Sequence, residues 1–593
     1  RSMPGFDDSD WKPVAEIQYD PARIENPMMP PVRGHELHAP KSIAKYGVND
    51  AGRTIWLVDF GQNCSQRIRL HMHGLKSGER VTLHHAEVLE PDGSLATRTL
   101  RRGQQCDVYT SNGVDAWWEP RFAMHGFRYA TIEGLSGELT ADDLECRVYH
   151  SVMERTGDFS CSNELLNKLY GNVVWSMRSN FVSIPTDCPQ RDERMGWTGD
   201  ICLFAPTAAY LYDVQSFLES WLRDARNEQV KWGTVPFYVP FIPLGVWAHP
   251  KAISTWGDSA VNVPWVLYMD SGDPQVLADS YDLTCAWIDE VAGYLSEDGV
   301  WDRKPDYILG QLGDWLDPTA PPDDPTQAMT EKELVATAFF ARSCAQATRI
   351  ARILGHEDDA VRFAALRDHV TQGYITRFTK LDGTMTSDTQ CAYALSIAFG
   401  LLNGEPVRRI KAGNRLAELV RESGGKVSTG FAGTPFVLPA LSATGHDQEA
   451  CDLLLSMQCP SWLYQVKMGA TTTWERWDSM REDGSLNPGG MTSFNHYALG
   501  SVAEWLHSRV GGLEAIEPGW KRFRVSPRAY AALDHASTSH ITPYGKASVS
   551  WMAAPGKLDL EVTVPVGTSA VIDLPDHEPV ELGAGAHHLT MAL

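Results

Sequence analysis

A chain of 593 residues, 43% hydrophobic and 21% charged, reads as globular rather than disordered or fibrous, and its length suggests about three or four domains. The net charge of −23 argues against nucleic acid and anionic membrane surfaces as partners, and against a strongly acidic polymer unless a local basic pocket overrides it. The eleven cysteines, without C-x-x-C pairs or His-rich spacing, fit free thiols better than a disulfide framework or a zinc site. With no signal-peptide pattern at the start, a cytoplasmic setting is expected, the periplasm being the alternative.

Residues 1–30 are Asp- and Pro-rich without periodicity and read as an extended arm or the remnant of an upstream domain. From 31 to 153 the signals are strand-like. Thr54–Phe60, Arg67–Met72 and Arg128–Ile132 alternate, and Pro91-Asp92-Gly93 and Asn112-Gly113 supply turns, which together predict an N-terminal β-sandwich. Near 158 the period changes. Leu166, Leu169, Tyr170, Val173, Val174 and Met177 follow helical spacing, and similar stretches recur over 217–225, 277–295, 333–354, 360–378, 390–402, 408–421, 448–457 and 494–506. Sequential helices without a fixed repeat predict a barrel of paired helices over 154–508, with the connecting loops on one rim. The uncharged stretch 232–250 raises the question of a membrane span, but Pro236, Pro240 and Pro243 would break a spanning helix, so it reads as an aromatic loop. After 509 alternation returns in Ala547–Trp551 and Leu558–Val564, predicting a C-terminal β-sandwich over 509–593.

One stretch is denser in chemistry than any other: Asp187-Cys188-Pro189-Gln190-Arg191-Asp192-Glu193-Arg194-Met195-Gly196-Trp197-Thr198-Gly199-Asp200. Proline and glycine at its ends argue for a structured loop rather than a long helix. A solvated charged loop is the ordinary reading of such a cluster. Arg191 among so many acids, with Trp197 beside them, favours a partly desolvated site instead. Three further loops place an acid next to tryptophan: Trp256-Gly257-Asp258, Asp314-Trp315-Leu316-Asp317 and Trp474-Glu475-Arg476-Trp477-Asp478. His496 follows in Phe494-Asn495-His496-Tyr497. Singly, an acid beside a tryptophan in a loop is more often a cap or a local turn than a ligand. Their recurrence in loops of one rim is the stronger signal.

Paired carboxylates suit glycoside hydrolysis, in which one protonates the leaving oxygen and the other acts as an anion. Glu193 is the candidate acid. Asp187, Asp192 and Asp200 disfavour a further charge beside them while Arg191 favours one, so the two influences oppose each other. Arg191 and the aspartates could instead hold sugar hydroxyls.

The stretch Asp187–Asp200 resembles the signature of the bacterial α-L-rhamnosidases (glycoside hydrolase family seventy-eight). Asp59-Phe60-Gly61-Gln62-Asn63, His85-Ala86-Glu87-Val88-Leu89, His125-Gly126-Phe127-Arg128-Tyr129 and Pro518-Gly519-Trp520 extend the likeness across nearly the whole chain. The resemblance implies an (α/α)6 barrel flanked by β-sandwiches and an inverting exo-hydrolase that releases terminal α-L-rhamnose. It makes Glu193 the general acid and Glu475 the general base. Asp187, Arg191, Trp197, Asp200 and His496 become the sugar's shell, and Trp256 and Trp315 the apolar wall. Inversion implies a carboxyl separation of roughly 6.5–9.5 Å, and the mechanism requires no metal and no cofactor. Expected partners are a carbohydrate or a rhamnosylated small molecule, with no nucleic acid and no membrane, and a homodimer as an optional assembly. The competing readings are a rhamnose-binding protein without turnover and a lyase acting on a rhamnose-linked uronic acid.

Overall fold

The computed structural model describes residues 5–303, 309–529 and 531–592. Two β regions flank a helical centre. The N-terminal region is one eight-stranded sheet: β1 (Val32–His38), β2 (Ser42–Val48), β3 (Thr54–Met72), β4 (Arg80–Ala86), β5 (Cys106–Thr110), β6 (Ala116–Trp118), β7 (His125–Glu133) and β8 (Leu144–Ser151), in the order β1-β8-β3-β7-β4-β5, with β2 and β6 also on β3. The two alternating runs expected at 54–60 and 67–72 are one long strand. Its pairing with β7 slips between Asp59 and Cys64, where Gly61 takes φ +80°. A glycine in the left-handed region lets a strand bulge and bend, and the sheet folds around its own core of Trp56, Val58, Ile68, Leu70, Val81, Leu83, Phe127 and Ile132.

The centre is a closed ring. The helices Thr198–Leu211, Ser259–Ser271, Lys332–Leu354, Gln390–Ala398, Thr434–Ser442 and Val502–Trp505 touch in that order, and the last returns to the first. Helices such as Glu164–Asn180, Gln215–Trp232, Glu357–Phe378 and Pro406–Glu422 lie outside, each with one buried face. Helical periodicity detects these outer helices because one face meets solvent. It misses Thr198–Leu211, Ser259–Ser271 and Thr434–Ser442, which are apolar or buried on nearly every side. The loop expected through Asp200 therefore ends at Trp197, and Thr198-Gly199-Asp200 form a first helical turn. The helix expected over 277–295 is interrupted at Ser280, and that over 494–506 shortens to a 3₁₀ turn Ala498–Ser501, one α-turn and a π-turn Leu506–Gly511.

Two sheets form the C-terminal region. Leu513–Ala515, Arg522–Val525, Ser569–Ile572 and Val580–Leu582 make one. Gly585–Ala592, Lys557–Val564, Gly545–Ala554, His535–Thr542 and Gly157–Cys161 make the other. The last of these strands precedes the helices, so the helical span begun at 154 first lends a strand to the far sandwich. This stitches the C-terminal region to the ring, with which it shares one continuous core. Among the described residues no helix is long and apolar enough to cross a membrane, and the stretch after Trp232 is a loop. The eleven cysteines are free thiols.

Candidate active site

The loop 186–197 is fixed by its own backbone. Asp187 N donates to Met195 O at 3.0 Å and Met195 N to Asp187 Oδ1 at 2.9 Å, drawing the ends together. Between them Arg194 takes φ +60° and anchors on Met124 O of the N-terminal region at 2.7 Å. Glycine is required twice. A Cβ on Gly196 would lie 2.3 Å from Val239 O, and one on Gly199 would lie 2.5 Å from the Trp256 ring. The second contact lets the Trp256 indole pack against the first turn of the helix that carries Asp200.

This loop, the rim loops of the ring and one residue of the N-terminal region enclose a cavity of about 160 Å³. All nine residues singled out from sequence line it: Asp187, Arg191, Glu193, Trp197, Asp200, Trp256, Trp315, Glu475 and His496. At its centre Arg191, almost wholly buried, joins the carboxylates. Its Nη1 and Nη2 donate to Glu475 Oε2 and Oε1 at 2.6 and 3.0 Å, a bidentate pair, and its Nε donates to Glu193 Oε2 at 2.9 Å. Asp187 Oδ2 lies 3.5 Å from Nη2. Glu193 also accepts from Trp197 Nε1 at 2.8 Å and from Arg101 Nη2 at 2.8 Å. Glu475 is held at the end of a tied segment: its N donates to Ser493 O at 3.0 Å, and His496 N donates to Thr473 O at 2.9 Å. His496 Nδ1 accepts from Ala498 N, so its Nε2 faces Asp200 Oδ1, at 3.2 Å.

Electrostatics divide these groups. Burial alone would raise the Glu475 carboxyl, but the charge and hydrogen bonds of Arg191 outweigh it and hold Glu475 down at about 2. Asp187 is pushed up to about 8 by burial and then by the Glu193 charge, against the pull of Arg191. Asp200 is raised well above the ordinary carboxylate range by burial and by Asp187. Burial lowers His496 to about 4, so its ring is neutral at pH 7. The cavity thus holds an anion at Glu475 opposite two carboxyls that keep their protons.

The weaker sequence signals separate in the same way. Trp256 and Trp315 reach the cavity, edge to face with centroids 6.3 Å apart. Their neighbouring acids do not line it. Asp258 is bound by Trp287 Nε1, Ser343 Oγ and Thr255 N, and Asp314 by the N–H groups of Gly430 and Gly433. Asp317 holds the turn through Thr319. They are local ties, as an acid in such a loop ordinarily is.

Sequence reasoning missed several lining residues. The aromatic loop after Trp232 supplies Tyr238, Leu244 and Trp247, of which Tyr238 and Trp247 pack edge to face on Trp197 at 5.0 Å. Its aromatic density was a usable signal. Arg101 left none: it follows a 3₁₀ turn of the N-terminal region, takes φ +54°, and binds Asp192 Oδ1 at 2.8 Å as well as Glu193. Asp192 lines the cavity as well, tied there by that pair.

Family models agree with this arrangement. The bacterial alpha-L-rhamnosidase 6 hairpin glycosidase domain matches residues 154–510, the concanavalin-like domain 49–150, and the C-terminal domain 512–588. The chain belongs to the bacterial α-L-rhamnosidase family. An alpha-L-rhamnosidase of Streptomyces avermitilis is 36% identical over the whole chain, which covers 56% of that relative, and one of an Alteromonas species is 34% identical over 99% of the chain and 62% of its own length. The chain therefore spans a little over half the length of these rhamnosidases. Among solved structures, the α-L-rhamnosidase of Aspergillus terreus superposes with a TM-score of 0.92 at 40% identity, covering 99% of this chain and 67% of that one. The S. avermitilis enzyme complexed with L-rhamnose superposes at 0.89 and 36% identity, covering 99% and 56%.

Proposed function

We propose that this chain hydrolyses terminal α-L-rhamnosides with inversion, Glu193 acting as general acid and Glu475 as general base. The observation that carries this reading is the Arg191 guanidinium set between the two glutamates within a tryptophan-walled cavity. Glu475, anionic near neutrality, is suited to take a proton from water as that water attacks the anomeric carbon. Glu193, which opens to the cavity beside Trp197, delivers a proton to the departing oxygen. Asp187, within 4.8 Å of it and holding a proton that the Glu193 charge helps to keep there, is the source that supplies it. Asp187 and Asp200, protonated, and neutral His496 offer donors and acceptors to sugar hydroxyls, and Trp256 and Trp315 offer a wall for the sugar's methyl group.

The relative complexed with L-rhamnose supports the choice of sugar. A lyase on a uronic acid would want a free cation for the substrate's carboxylate, yet both guanidiniums at the cavity, Arg101 and Arg191, are paired with protein carboxylates. A release assay across aryl glycosides tests the reading, with proton NMR of the first sugar formed. The expected result is activity confined to α-L-rhamnosides with the β-anomer appearing first. Initial retention, or preference for another glycone, would overturn it.

A further inference from the structure

Away from the cavity, the end of β3 and the turn before β8 bring together three side chains that the proposed reaction does not use. His71 and His73 stand two residues apart, a spacing that puts side chains on one face of an extended chain, and their rings lie 5.2 Å apart. Asp143 ends the short turn Ala141–Asp143 just ahead of β8. Thr140 N and Oγ1 donate to its Oδ2 at 2.9 and 2.7 Å, which fixes the carboxylate. Oδ1 is turned to the imidazoles, 3.9 Å from His71 Nδ1 and 3.6 Å from His73 Nε2. The three atoms lie within 4.8 Å of one another, and neither imidazole makes a ring-nitrogen hydrogen bond among the described residues.

We propose that His71, His73 and Asp143 form a binding site for a divalent transition metal of the zinc class. Bonds of 2.0–2.2 Å to a tetrahedral ion set donor atoms about 3.3–3.5 Å apart. The two imidazole–carboxylate gaps are only a few tenths of an ångström wider. The imidazoles are 36% and 40% exposed, which leaves an entry path and a coordination position for water. Closing the gaps takes a small turn of His73 and a shift of His71 along the Trp117 ring on which it stacks at 5.2 Å. Two imidazoles and a carboxylate suit Zn²⁺, Co²⁺ or Ni²⁺, whereas Mg²⁺ and Ca²⁺ prefer all-oxygen sets. Thr140 supplies the outer hydrogen bonds that orient a ligating carboxylate. An ion there ties the end of β3 to the start of β8, where Leu70 pairs with Leu144, and so staples the ends of two neighbouring inner strands of the N-terminal sheet.

The buried trio His85, Asp107 and His125 is the poorer candidate. Its rings are nearly parallel at 27° and 4.5 Å, His85 Nδ1 is bonded to Gln105 O, and Asp107 Oδ1 sits 3.2 Å from His125 Nε2. All three are buried, which leaves an ion less access than the partly exposed trio does.

The full chain, free of any histidine tag and stripped with EDTA, is titrated with ZnCl₂ by calorimetry and with CoCl₂ by visible absorption. One equivalent is expected to bind, with a rise of a few degrees in melting temperature and no change in rhamnoside hydrolysis. His71→Ala and His73→Ala should each weaken binding at least tenfold, and Thr140→Val by less. Absence of saturable binding overturns the proposal, as does undiminished binding in the His71→Ala/His73→Ala double variant. Loss of binding in Asp107→Asn with retention in that double variant assigns the metal to the buried trio, and equally overturns it.

Discussion

Arg191 meets Glu475 through two oxygens, Glu193 through one and Asp187 through a longer contact, so the state of each acid depends on the others. In the proposed mechanism, replacing either glutamate by its amide keeps the shape and removes the proton chemistry. Glu193→Gln should lower hydrolysis of methyl α-L-rhamnoside by about 10²–10⁴-fold, and of p-nitrophenyl α-L-rhamnoside by less, while rhamnose still binds, as measured by steady-state rates and calorimetry. Glu475→Gln should lose a comparable factor even with good leaving groups, because water still needs its base. A loss of less than tenfold there would point to a different base. Arg101 offers a finer test. It fixes Glu193 from a second direction, so Arg101→Met should slow catalysis by about 10–100-fold through misplacement of the acid. The loss should be larger for methyl than for p-nitrophenyl rhamnoside, since only the poorer leaving group depends heavily on proton donation. A uniform loss across a leaving-group series would assign Arg101 a merely structural role.

The elements that make the site differ in how far their sequence announces them. Outer helices and alternating strands are legible because half of each faces water, and that contrast imposes a period. The inner helices of the ring are buried on most sides, so the segment carrying Asp200 reads as an undifferentiated apolar run. The charged loop was legible from its composition, and Glu475 from its tryptophan neighbours together with the family likeness. That Arg101 would cross from another region was not, because it depends on docking between elements distant in sequence. Glycines record that docking. A Cβ on Gly126 of β7 would lie 2.5 Å from Pro189 Cγ and 2.9 Å from its backbone carbon, and one on Gly103 would lie 3.0 Å from Asp192 N. The N-terminal sheet is therefore the surface on which the loop is set. Gly126→Ala should displace the loop, costing about 10²-fold in kcat/KM for a shift near 1 Å. The melting temperature should fall by only a few degrees. Full activity in that variant would show that the loop holds its shape without the sheet.

Across the whole molecule, a set of buried carboxyls with raised pKa values couples stability to pH in one direction. Burial raises Asp187 to about 8, and Glu87, Glu290, Asp314 and Glu504 to about 7. The folded state holds these protons over a range in which the unfolded chain, with carboxyls near their ordinary values of about 4, has lost them. Their contribution to stability is complete below about pH 4 and is lost as pH rises through 7 to 8. Buried histidines act oppositely. His85 is lowered to about 3, and His150 and His496 to about 4, chiefly by burial, so the unfolded chain takes up protons first as pH falls below about 6.5. Glu475, held down at about 2, adds a contribution that is present above about pH 4.5 and lost as pH falls through 2. Between about pH 4.5 and 6.5 the three histidines offset only part of the effect of the five carboxyls, so stability already falls gently as pH rises. Above 6.5 the histidines are neutral in both states, and only the carboxyl loss remains. The growing self-repulsion of a chain already at −23 acts in the same sense. The melting temperature should therefore be highest near pH 4 to 5, fall gently up to about pH 6.5 and more steeply from there to about pH 8, as followed by calorimetry at constant ionic strength. Glu87→Gln, which keeps a neutral group against Asn63 and Phe494 N, should make that decline shallower. A decline of unchanged slope in this variant would remove Glu87 from the set of carboxyls that drive it.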